Sequence, residues 1–417
     1  MKHWLTILLT VLTTTLQAQQ RFEATVVDAR TDEVLPFASV YVDSQVSTIT
    51  NAEGTFALSC QPADTLRITY VGYKSTTIQA SLLRNVVRLE PQALLLHEVT
   101  VVPIGPMVNK ICKETLRMRR KHAGKKSHFY YRQTAFSDST CYEFVEAFLK
   151  GGAAVALHDL KLQSGRYAGL QSDDDNAYAF FGNFFTFSQL EVAETYAQPL
   201  PDEDVVPLFR NYDKFYDLSY NVKAEGDDRI FIIHFEPKPD IVKKYAILGA
   251  TLYVDEKTLH LRRIVGTGYN FRIQTKFTSS NDQGPYLTMI KNYSTDFSYV
   301  IDLTEDNGFP EVQSAFVEAV YEADGKTITT RSLLYNLGNN DKKRRHSFWG
   351  RMFNSIAEQF TKSDDQDLRF GSVLHKKIEQ QGYDPEFWSR NEIVRRTPIE
   401  QEVMELFEQQ NLFGVFQ

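Results

Sequence analysis

The fold of most of this chain is decided by residues 249–265, which read GATLYVDEKTLHLRRIV. Apolar and polar side chains alternate over Gly249–Val254 and again over Leu259–Val265, which is the period of a half-buried β-strand. The polar residues Asp255–Thr258 separate the two runs and have the composition of a hairpin loop. The stretch therefore predicts an antiparallel β-hairpin.

Strand-like runs continue on both sides of this hairpin. They predict a β-meander from Tyr220 to Val300, in which Arg229–Phe235 is one strand, and a further pair of strands between Phe316 and Leu334. The pair is expected to turn at Asp324-Gly325. We assign residues 107–340 to one large curved antiparallel sheet with a helix at its N-terminal end.

The beginning of the chain has a different pattern. From Arg21 to Glu90, short strand-like runs recur about every ten residues and are separated by polar turns such as Asn51–Gly54. This pattern is typical of a small all-β sandwich.

Three motifs in this region carry a resemblance to a known family. They are LPFASV at 35–40, TNAEGTF at 50–56 and ITYVGYK at 68–74. Residues 19–92 resemble the carboxypeptidase regulatory-like domain, which is common at the N-terminus of exported Bacteroidota envelope proteins. The resemblance implies a seven-stranded, prealbumin-like sandwich that serves as a non-catalytic accessory module.

Residues 1–18 have the features of a secretory signal peptide. Lys2 precedes a short apolar core from Trp4 to Leu12, and Leu16-Gln17-Ala18 is a candidate cleavage site. The apolar core is shorter than the roughly 20 residues that span a bilayer, although a retained anchor is the alternative. We expect export to the periplasm or the periplasmic face of the outer membrane, with no transmembrane span after signal removal.

Charge and cysteine content restrict the function further. The formal net charge of −7 over 417 residues argues against a nucleic-acid partner. Export would place Cys60, Cys112 and Cys141 in an oxidising compartment, but an odd number leaves the pairing open. Small buried hydrophobic residues are the simpler interpretation of all three.

No catalytic or cofactor-binding motif follows the first domain. None of the nine histidines begins the His-x-x-Glu of a zinc carboxypeptidase, and His97-Glu98-Val99-Thr100-Val101 is not the His-Glu-x-x-His of other zinc peptidases. Nucleophile elbows, P-loops and dinucleotide fingerprints are also absent from the sequence. We predict a protein that is not an enzyme and has no catalytic, metal-binding or cofactor-binding residues.

A linker and a basic helix are predicted next. Residues 93–106 read as an extended linker, after which apolar residues recur at helical spacing in the order Val108, Ile111, Cys112, Thr115 and Leu116. Eight Lys and Arg residues lie between 110 and 126. Such a helix can contact anionic lipid or another polyanion, and a solvated face without a partner is the alternative.

The chain is rich in aromatic residues, with 29 Phe and 21 Tyr. The hairpin at 249–265 is similar to the repeated hairpin of LolA/LolB-like half-barrels, which hold acyl chains in a concave sheet. This resemblance implies an apolar ligand pocket, for which the candidate lining residues are Tyr178, Phe180, Phe181, Phe184, Phe185, Phe187 and Tyr253. Ordinary core packing of these rings is the alternative.

Residues 341–417 are assigned to a basic-aromatic connector and a helical tail. Thr397-Pro398-Ile399-Glu400 is a capping-box sequence, and we expect Ile399, Val403, Leu406 and Phe407 to form the buried stripe of the helix that follows. The tail is expected to dock on the sheet.

The predicted fold class is mainly β, with a seven-stranded sandwich followed by a larger sheet and flanking helices. The sequence favours an exported, non-catalytic envelope protein that binds a lipid or other apolar envelope component, or that docks a protein partner. A pure assembly module of an outer-membrane complex, without a small ligand, is the alternative. An unrecognised hydrolase is the least favoured hypothesis.

Overall fold

The computed structural model describes residues 20–42, 45–70, 73–91, 104–137, 140–155, 157–169, 212–225, 228–245, 247–279, 287–305, 308–323, 325–338, 374, 377, 378, 380–390, 394–409, 412 and 413. The chain divides into two compact units. The first comprises Met1–Ala93 and Ser389–Glu402, and the second comprises Leu94–Trp388 and Val403–Gln417.

Seven strands form the predicted sandwich in the first unit, which confirms that part of the fold. Their bounds are β1 Gln20–Asp28, β2 Ser39–Val42, β3 Gln45–Ile49, β4 Thr55–Cys60, β5 Thr65–Thr69, β6 Thr76–Gln79 and β7 Val86–Leu89. They pair as a three-stranded sheet, β4-β1-β7, and a four-stranded sheet, β3-β2-β5-β6. Strand β3 was not expected from the sequence, because its residues include few apolar side chains.

The spacing of the three sandwich motifs has a structural explanation within this unit. The Thr50 hydroxyl donates to the Leu35 carbonyl at 2.7 Å and accepts from the Ala38 amide at 2.8 Å, so it joins the first motif to the second. Gly54 has φ +70°, and a Cβ there would lie 2.9 Å from the Val26 carbonyl oxygen. Only glycine fits this turn without strain.

The third motif is tied to β1 by a side-chain hydrogen bond. The Tyr73 hydroxyl donates to Asp28 Oδ2 at 2.7 Å. Partial burial and this carboxylate raise the pKa of Tyr73 to about 12. The backbone N–H of Arg30, followed by the Tyr73 hydroxyl, lowers the pKa of Asp28. The motif residues therefore hold the sandwich together.

The second unit contains a ten-stranded antiparallel sheet, as predicted. Its strands are β8 Ser127–Ser137, β9 Thr140–Gly152, β10 His158–Gly169, β11 Tyr216–Glu225, β12 Asp228–Pro237, β13 Ile247–Asp255, β14 Leu261–Ser279, β15 Leu287–Glu305, β16 Pro310–Ala323 and β17 Lys326–Gly338. Their order is β10-β9-β8-β17-β16-β15-β14-β13-β12-β11. The strands from β11 to β17 form a continuous meander, and β8 pairs with β17.

Helices accompany the strands, and in addition to the short 3₁₀ helix Ala80–Leu82, five α-helices have both ends within the described residues. They are α1 Ile104–His122, α2 Tyr212–Phe215, α3 Pro239–Val242, α4 Pro385–Arg390 and α5 Pro398–Gln409. Helix α1 begins two residues before Pro106, so the end of the predicted linker is already helical. Proline at this place is tolerated because the amides of the first turn have no intrahelical acceptor.

The hairpin at 249–265 is formed by β13 and β14. Asp255 Oδ1 accepts from the amides of Lys257 at 3.0 Å and Thr258 at 2.8 Å, which closes the loop as a side-chain-capped turn. The second strand begins at Leu261, two residues later than predicted, because Leu259 adopts φ +60° and leaves the strand. His260 consequently lies between the turn and the start of β14.

The two faces of the large sheet are distinguished by alternation along each strand. We call the face that carries Leu252, Ile264 and Ile301 the core face, and the face that carries Tyr253, Arg263 and Asp302 the opposite face. Leu252, Ile264 and Ile301 are in register with one another and belong to a large cluster of buried residues. That cluster also contains Val108, Ile111 and Met118 of α1.

Helix α1 runs across the sheet between its two edge strands. Near its start, the Gly105 carbonyl accepts from Tyr212, which precedes edge strand β11; just after its end, the Ala123 carbonyl lies 2.9 Å from His158 Nε2 on edge strand β10. Nineteen helical residues span about 28 Å. Ten flat strands would span about 43 Å at the usual spacing of about 4.8 Å. The helix together with the side chains of Tyr212 and His158 bridges this width, so α1 crosses the sheet from the side of β11 to that of β10.

The C-terminal tail docks on the opposite face of β8–β10. Met404, Phe407 and Phe413 pack against Cys141, Phe144 and Ala168 in one buried cluster. The predicted capping box is present, because Glu400 N–H donates to Thr397 Oγ1 at 3.2 Å and Thr397 N–H donates to Glu400 Oε2 at 2.8 Å.

The predicted stripe of α5 is partly wrong. Leu406 is 39% exposed, whereas Met404, which was not expected in the stripe, is buried. At about 100° per residue, Met404 and Phe407 lie about 60° apart on the helix surface, and Leu406 points well away from both. The side chain of Ile399 lies outside the described residues.

Candidate functional site

Helix α1 has one face in the core and one face in solvent. Val108, Ile111, Thr115 and Met118 are buried along one side. On the other side, five cationic residues fall within an arc of about 100° and are exposed. We call these the basic face: Lys110, Lys113, Arg117, Arg120 and Lys121. The predicted amphipathic helix is thus confirmed.

The C-terminal end of α1 is fixed by stacking on Phe309. The ring of His122 lies parallel to the Phe309 ring with 3.8 Å between centroids, and Lys125 Nζ is 3.9 Å from the same ring centre. Together with the Gly105–Tyr212 hydrogen bond of 3.1 Å at the other end, these contacts fix the rotation of the helix. The basic face is therefore held outward.

A charged cluster joins the middle of α1 to the sheet. His260 Nε2 is 3.5 Å from Glu114 Oε1, and its Nδ1 is 3.3 Å from Glu305 Oε1. Arg117 Nε donates to Glu114 at 2.7 Å. The hydrogen bond from Arg117 is the main reason that the pKa of Glu114 is lowered, with a smaller contribution from His260. Glu114 therefore stays ionised and neutralises Arg117.

A buried ionic cluster lies on the opposite face of β8–β10. Glu146 of β9 is in register with Arg132 of β8 on one side and Arg166 of β10 on the other. Arg132 Nε is 3.0 Å from Glu146 Oε1, and Arg166 Nε donates to Glu146 Oε2 at 2.8 Å. The Tyr130 hydroxyl also donates to Glu146. The three charged side chains are at most 4% exposed.

Aromatic rings of the C-terminal tail cover this cluster. The Arg166 guanidinium carbon is 4.6 Å from the Trp388 ring centre and 4.8 Å from that of Phe413. Burial by itself would lower the pKa of Arg166, but the attraction of Glu146 outweighs it and the net direction is upward. Arg166 is therefore permanently charged, and it joins the sheet to its C-terminal cover.

A second charged pair lies farther along the same face. Arg263 and Asp302 face each other across β14 and β15, with 3.5 Å between Arg263 Nε and Asp302 Oδ1. Burial raises the pKa of Asp302, and Arg263 only partly counteracts that effect. No hydrogen-bond donor satisfies Asp302 Oδ1 in the described part of the chain. The fold therefore destabilises the ionised form of Asp302.

The core face is not wholly apolar. At β8 and β9 the buried Glu143 carboxylate accepts from Gln133 Nε2 at 3.0 Å, and Gln133 Oε1 accepts from the Tyr131 hydroxyl at 2.7 Å. These groups form a satisfied polar patch inside the core.

The structure describes only one of the residues predicted to line an apolar pocket. Tyr178, Phe180, Phe181, Phe184, Phe185 and Phe187 lie outside the described residues. Tyr253 is half-buried on the opposite face, where it is in register with Arg263 and Ile232, and it does not belong to the core cluster. The proposed pocket therefore stays a prediction.

No sequence pattern indicated the cluster at Arg132, Glu146 and Arg166. These residues lie on three different strands, and charged residues in strands are ordinarily assigned to the solvent face. An alternation check would have helped, because Glu146 shares the face of the large aromatic residues Phe144 and Phe148.

The described residues bring together no set of three or more His, Cys, Asp or Glu side chains in metal-binding geometry. All three cysteines are free, and Cys60 and Cys141 are buried. Burial raises the pKa of the Cys112 thiol to about 12, which makes it a poor nucleophile. Within the part of the chain that is described, no helix is both long and apolar enough to cross a bilayer.

The fold defines a mainly β protein that combines a small sandwich with a large sheet. Residues 23–101 match the family model of the CarboxypepD_reg-like domain, which supports the resemblance of the sandwich motifs. No curated protein is significantly similar in sequence to the chain.

Two of the solved structures that resemble part of the chain distantly are as follows. One is the MucA/MucB complex of Pseudomonas aeruginosa, with 10% identity, a TM-score of 0.17, and coverage of 55% of this chain and 94% of the other. The second is a DUF1329 family protein from Desulfovibrio piger, with 11% identity, a TM-score of 0.20, and coverage of 57% and 97%. Scores this low support no conclusion about function.

Proposed function

We propose that this chain is an exported, non-catalytic cell-envelope protein that acts by docking to another envelope component through its surface. The N-terminal sandwich is its accessory module. The proposed location is the periplasm or the periplasmic face of the outer membrane. The leader-like residues 1–18 and the CarboxypepD_reg-like match of the sandwich support this assignment.

The observation that carries the proposal is the occupied core face. A sheet that holds acyl chains needs an open apolar surface, but here the apolar side of α1, from Val108 to Met118, packs against that surface. Ile111 of the helix and Leu252 and Ile301 of the sheet are at most 1% exposed. Interiors packed in this way leave little room for a ligand. Binding at exposed surfaces is the better-supported mode.

A second candidate function is binding of an apolar ligand on the opposite face. Tyr253 is only half-buried there, and its neighbours Ile232 and Val265 are also half-buried. If the aromatic residues from Tyr178 to Phe187 approach this strip, they would line a pocket with it.

Native mass spectrometry distinguishes the two functions. The full-length chain is expressed with its own leader in a Gram-negative host and purified after cell fractionation. We expect it in the envelope or periplasmic fraction. Its mass should equal that of a chain that starts at Gln19, with no apolar molecule bound. Organic extraction should release no stoichiometric lipid.

Retention of a stoichiometric lipid would overturn the docking proposal. A matched pair of variants would then locate the ligand. Tyr253→Ala removes a ring of the predicted pocket, whereas Tyr220→Ala removes a half-buried ring packed against the core cluster. Loss of lipid in the first variant alone would support the second function. A chain found only in the cytoplasm would contradict both.

A further inference from the structure

We propose that the basic face of α1 docks this protein on membranes that carry anionic phospholipid headgroups. The inference rests on the proposed envelope role and names the component to which the surface docks. It is carried by the distribution of charge, the orientation of the helix and the composition of its exposed side.

Charge is strongly segregated along the chain. The segment of residues 104–126 contains eight Lys and Arg residues and a single acidic residue, Glu114, so its formal charge is +7. The remainder of the chain carries −14. A positive region of this size on an otherwise acidic protein orients the whole molecule in the field of a negatively charged surface.

The fold holds this charge outward. The buried row from Val108 to Met118 prevents α1 from rotating, and Phe309 secures its C-terminal end. Arg117 is neutralised by Glu114. Lys110, Lys113 and Lys121 are exposed, and within the described residues they form no ion pair or hydrogen bond. Three preoriented cations are thus available.

The composition of the basic face favours a membrane over a protein partner. Protein interfaces depend on central aromatic or apolar anchors. Between Lys110 and Lys121 the exposed arc offers only cationic side chains, which extend over about 16 Å of helix. Such a row matches a plane of phosphate groups. Since the described arc carries no apolar side chain that could insert, attachment should be electrostatic and reversible by salt.

Vesicle cosedimentation of the purified full-length protein tests the inference. Vesicles of equal parts phosphatidylglycerol and phosphatidylcholine are compared with vesicles of phosphatidylcholine alone. We expect binding to the anionic vesicles only, and release at about 1 M salt, where the Debye length is about 3 Å.

The decisive variant is the triple substitution Lys110→Gln/Lys113→Gln/Lys121→Gln. Glutamine keeps the helix propensity of lysine, so the fold should be retained. At about 1 kcal/mol for each basic residue, equivalent to about fivefold, the loss of affinity should be about a hundredfold. The matched control is Lys214→Gln/Lys243→Gln/Lys244→Gln, which removes the same charge at exposed positions outside α1 and should change affinity less than about threefold.

Three outcomes would overturn the inference. These are absence of wild-type binding to anionic vesicles, equal losses in the two triple variants, and binding to soluble heparin without binding to vesicles. Native mass spectrometry and fractionation are independent of these results. If the chain is exported and ligand-free but does not bind vesicles, the docking proposal stands and only the membrane is excluded as its target.

Discussion

The two faces of the ten-stranded sheet bury their side chains in different ways. On the core face, Leu252, Ile264 and Ile301 form an apolar row against α1. On the opposite face, charged residues face each other directly across neighbouring strands. Three arrangements of oppositely charged residues in the described part of this face differ mainly in exposure: Glu146 is 1% exposed, Asp302 13% and Glu318 32%.

This difference shows that a cross-strand charged pair becomes buried where another part of the chain covers it. Glu146 is sealed where Trp388 and Phe413 of the tail lie over Arg166. Glu318 has the same kind of cross-strand arginine partner, Arg331, but both are solvated. Since desolvation determines the cost of an unpaired ion, similar pairs should respond very differently to the loss of one partner.

The largest effect is expected for Arg166→Met. Removal of one guanidinium leaves Glu146 buried with weaker compensation, and the free energy of unfolding should fall by about 3–5 kcal/mol. Denaturant unfolding of the full chain, followed by fluorescence, measures this loss.

Arg331→Met is the matched control on the same face. Its pair with Glu318 is solvated, so the expected cost is below about 1 kcal/mol. Equal costs for the two variants would contradict the proposed role of the aromatic cover.

An intermediate effect is expected from two neighbouring residues that point to different faces. Leu252→Ala opens a cavity in the core and should cost about 3 kcal/mol. Tyr253→Ala, one residue along, removes a half-buried ring from the opposite face and should cost about 1 kcal/mol.

Thermal unfolding of both single variants distinguishes these costs. A larger destabilisation from the Tyr253 substitution would mean that the opposite face of this hairpin is packed as firmly as the core. The comparison between the two faces would then fail.

The smallest effect concerns the pH dependence of stability. The folded-state pKa of Asp302 is raised, so protonation favours the folded state, and its contribution to stability should decline as pH rises from about 3.8 through the raised value. Asp302→Asn should remove this decline.

Asp255 provides a control of opposite sign. Burial works toward a higher pKa, but hydrogen bonds from Thr258 and Arg262 lower it overall. Its stabilisation is therefore present above about 3.8 and lost as pH falls through the lowered value. Unfolding curves of wild type, Asp302→Asn and Asp255→Asn across acidic pH should show differences of opposite slope. Parallel curves would refute the assignment.

Much of the architecture is predictable from local patterns. The alternation at 249–265 predicts the β13–β14 hairpin, and Thr397 and Glu400 predict the capping box that begins α5. These features depend on interactions between residues a few positions apart. The errors in predicting these two elements are also local. Leu259 leaves the strand because of its positive φ, and Met404 replaces Leu406 in the buried stripe of α5.

The basic face of α1 likewise has one property that is predictable from the sequence and one that is not. The basic face of α1 is predictable, because Lys110, Lys113 and Lys121 follow the period of a helix whose other side is apolar. Its fixed outward orientation is not predictable, since that depends on Phe309, almost two hundred residues farther along the chain.

By itself, the sequence determined the β13–β14 hairpin, the amphipathic helix, the sandwich motifs and the segregation of positive charge into residues 104–126. The tertiary structure alone decided that α1 packs on the core face and that Arg132, Glu146 and Arg166 become a buried cluster. The physical reason is that local periodicity specifies which side of an element is apolar, whereas strand register and the docking of the tail specify what covers the other side.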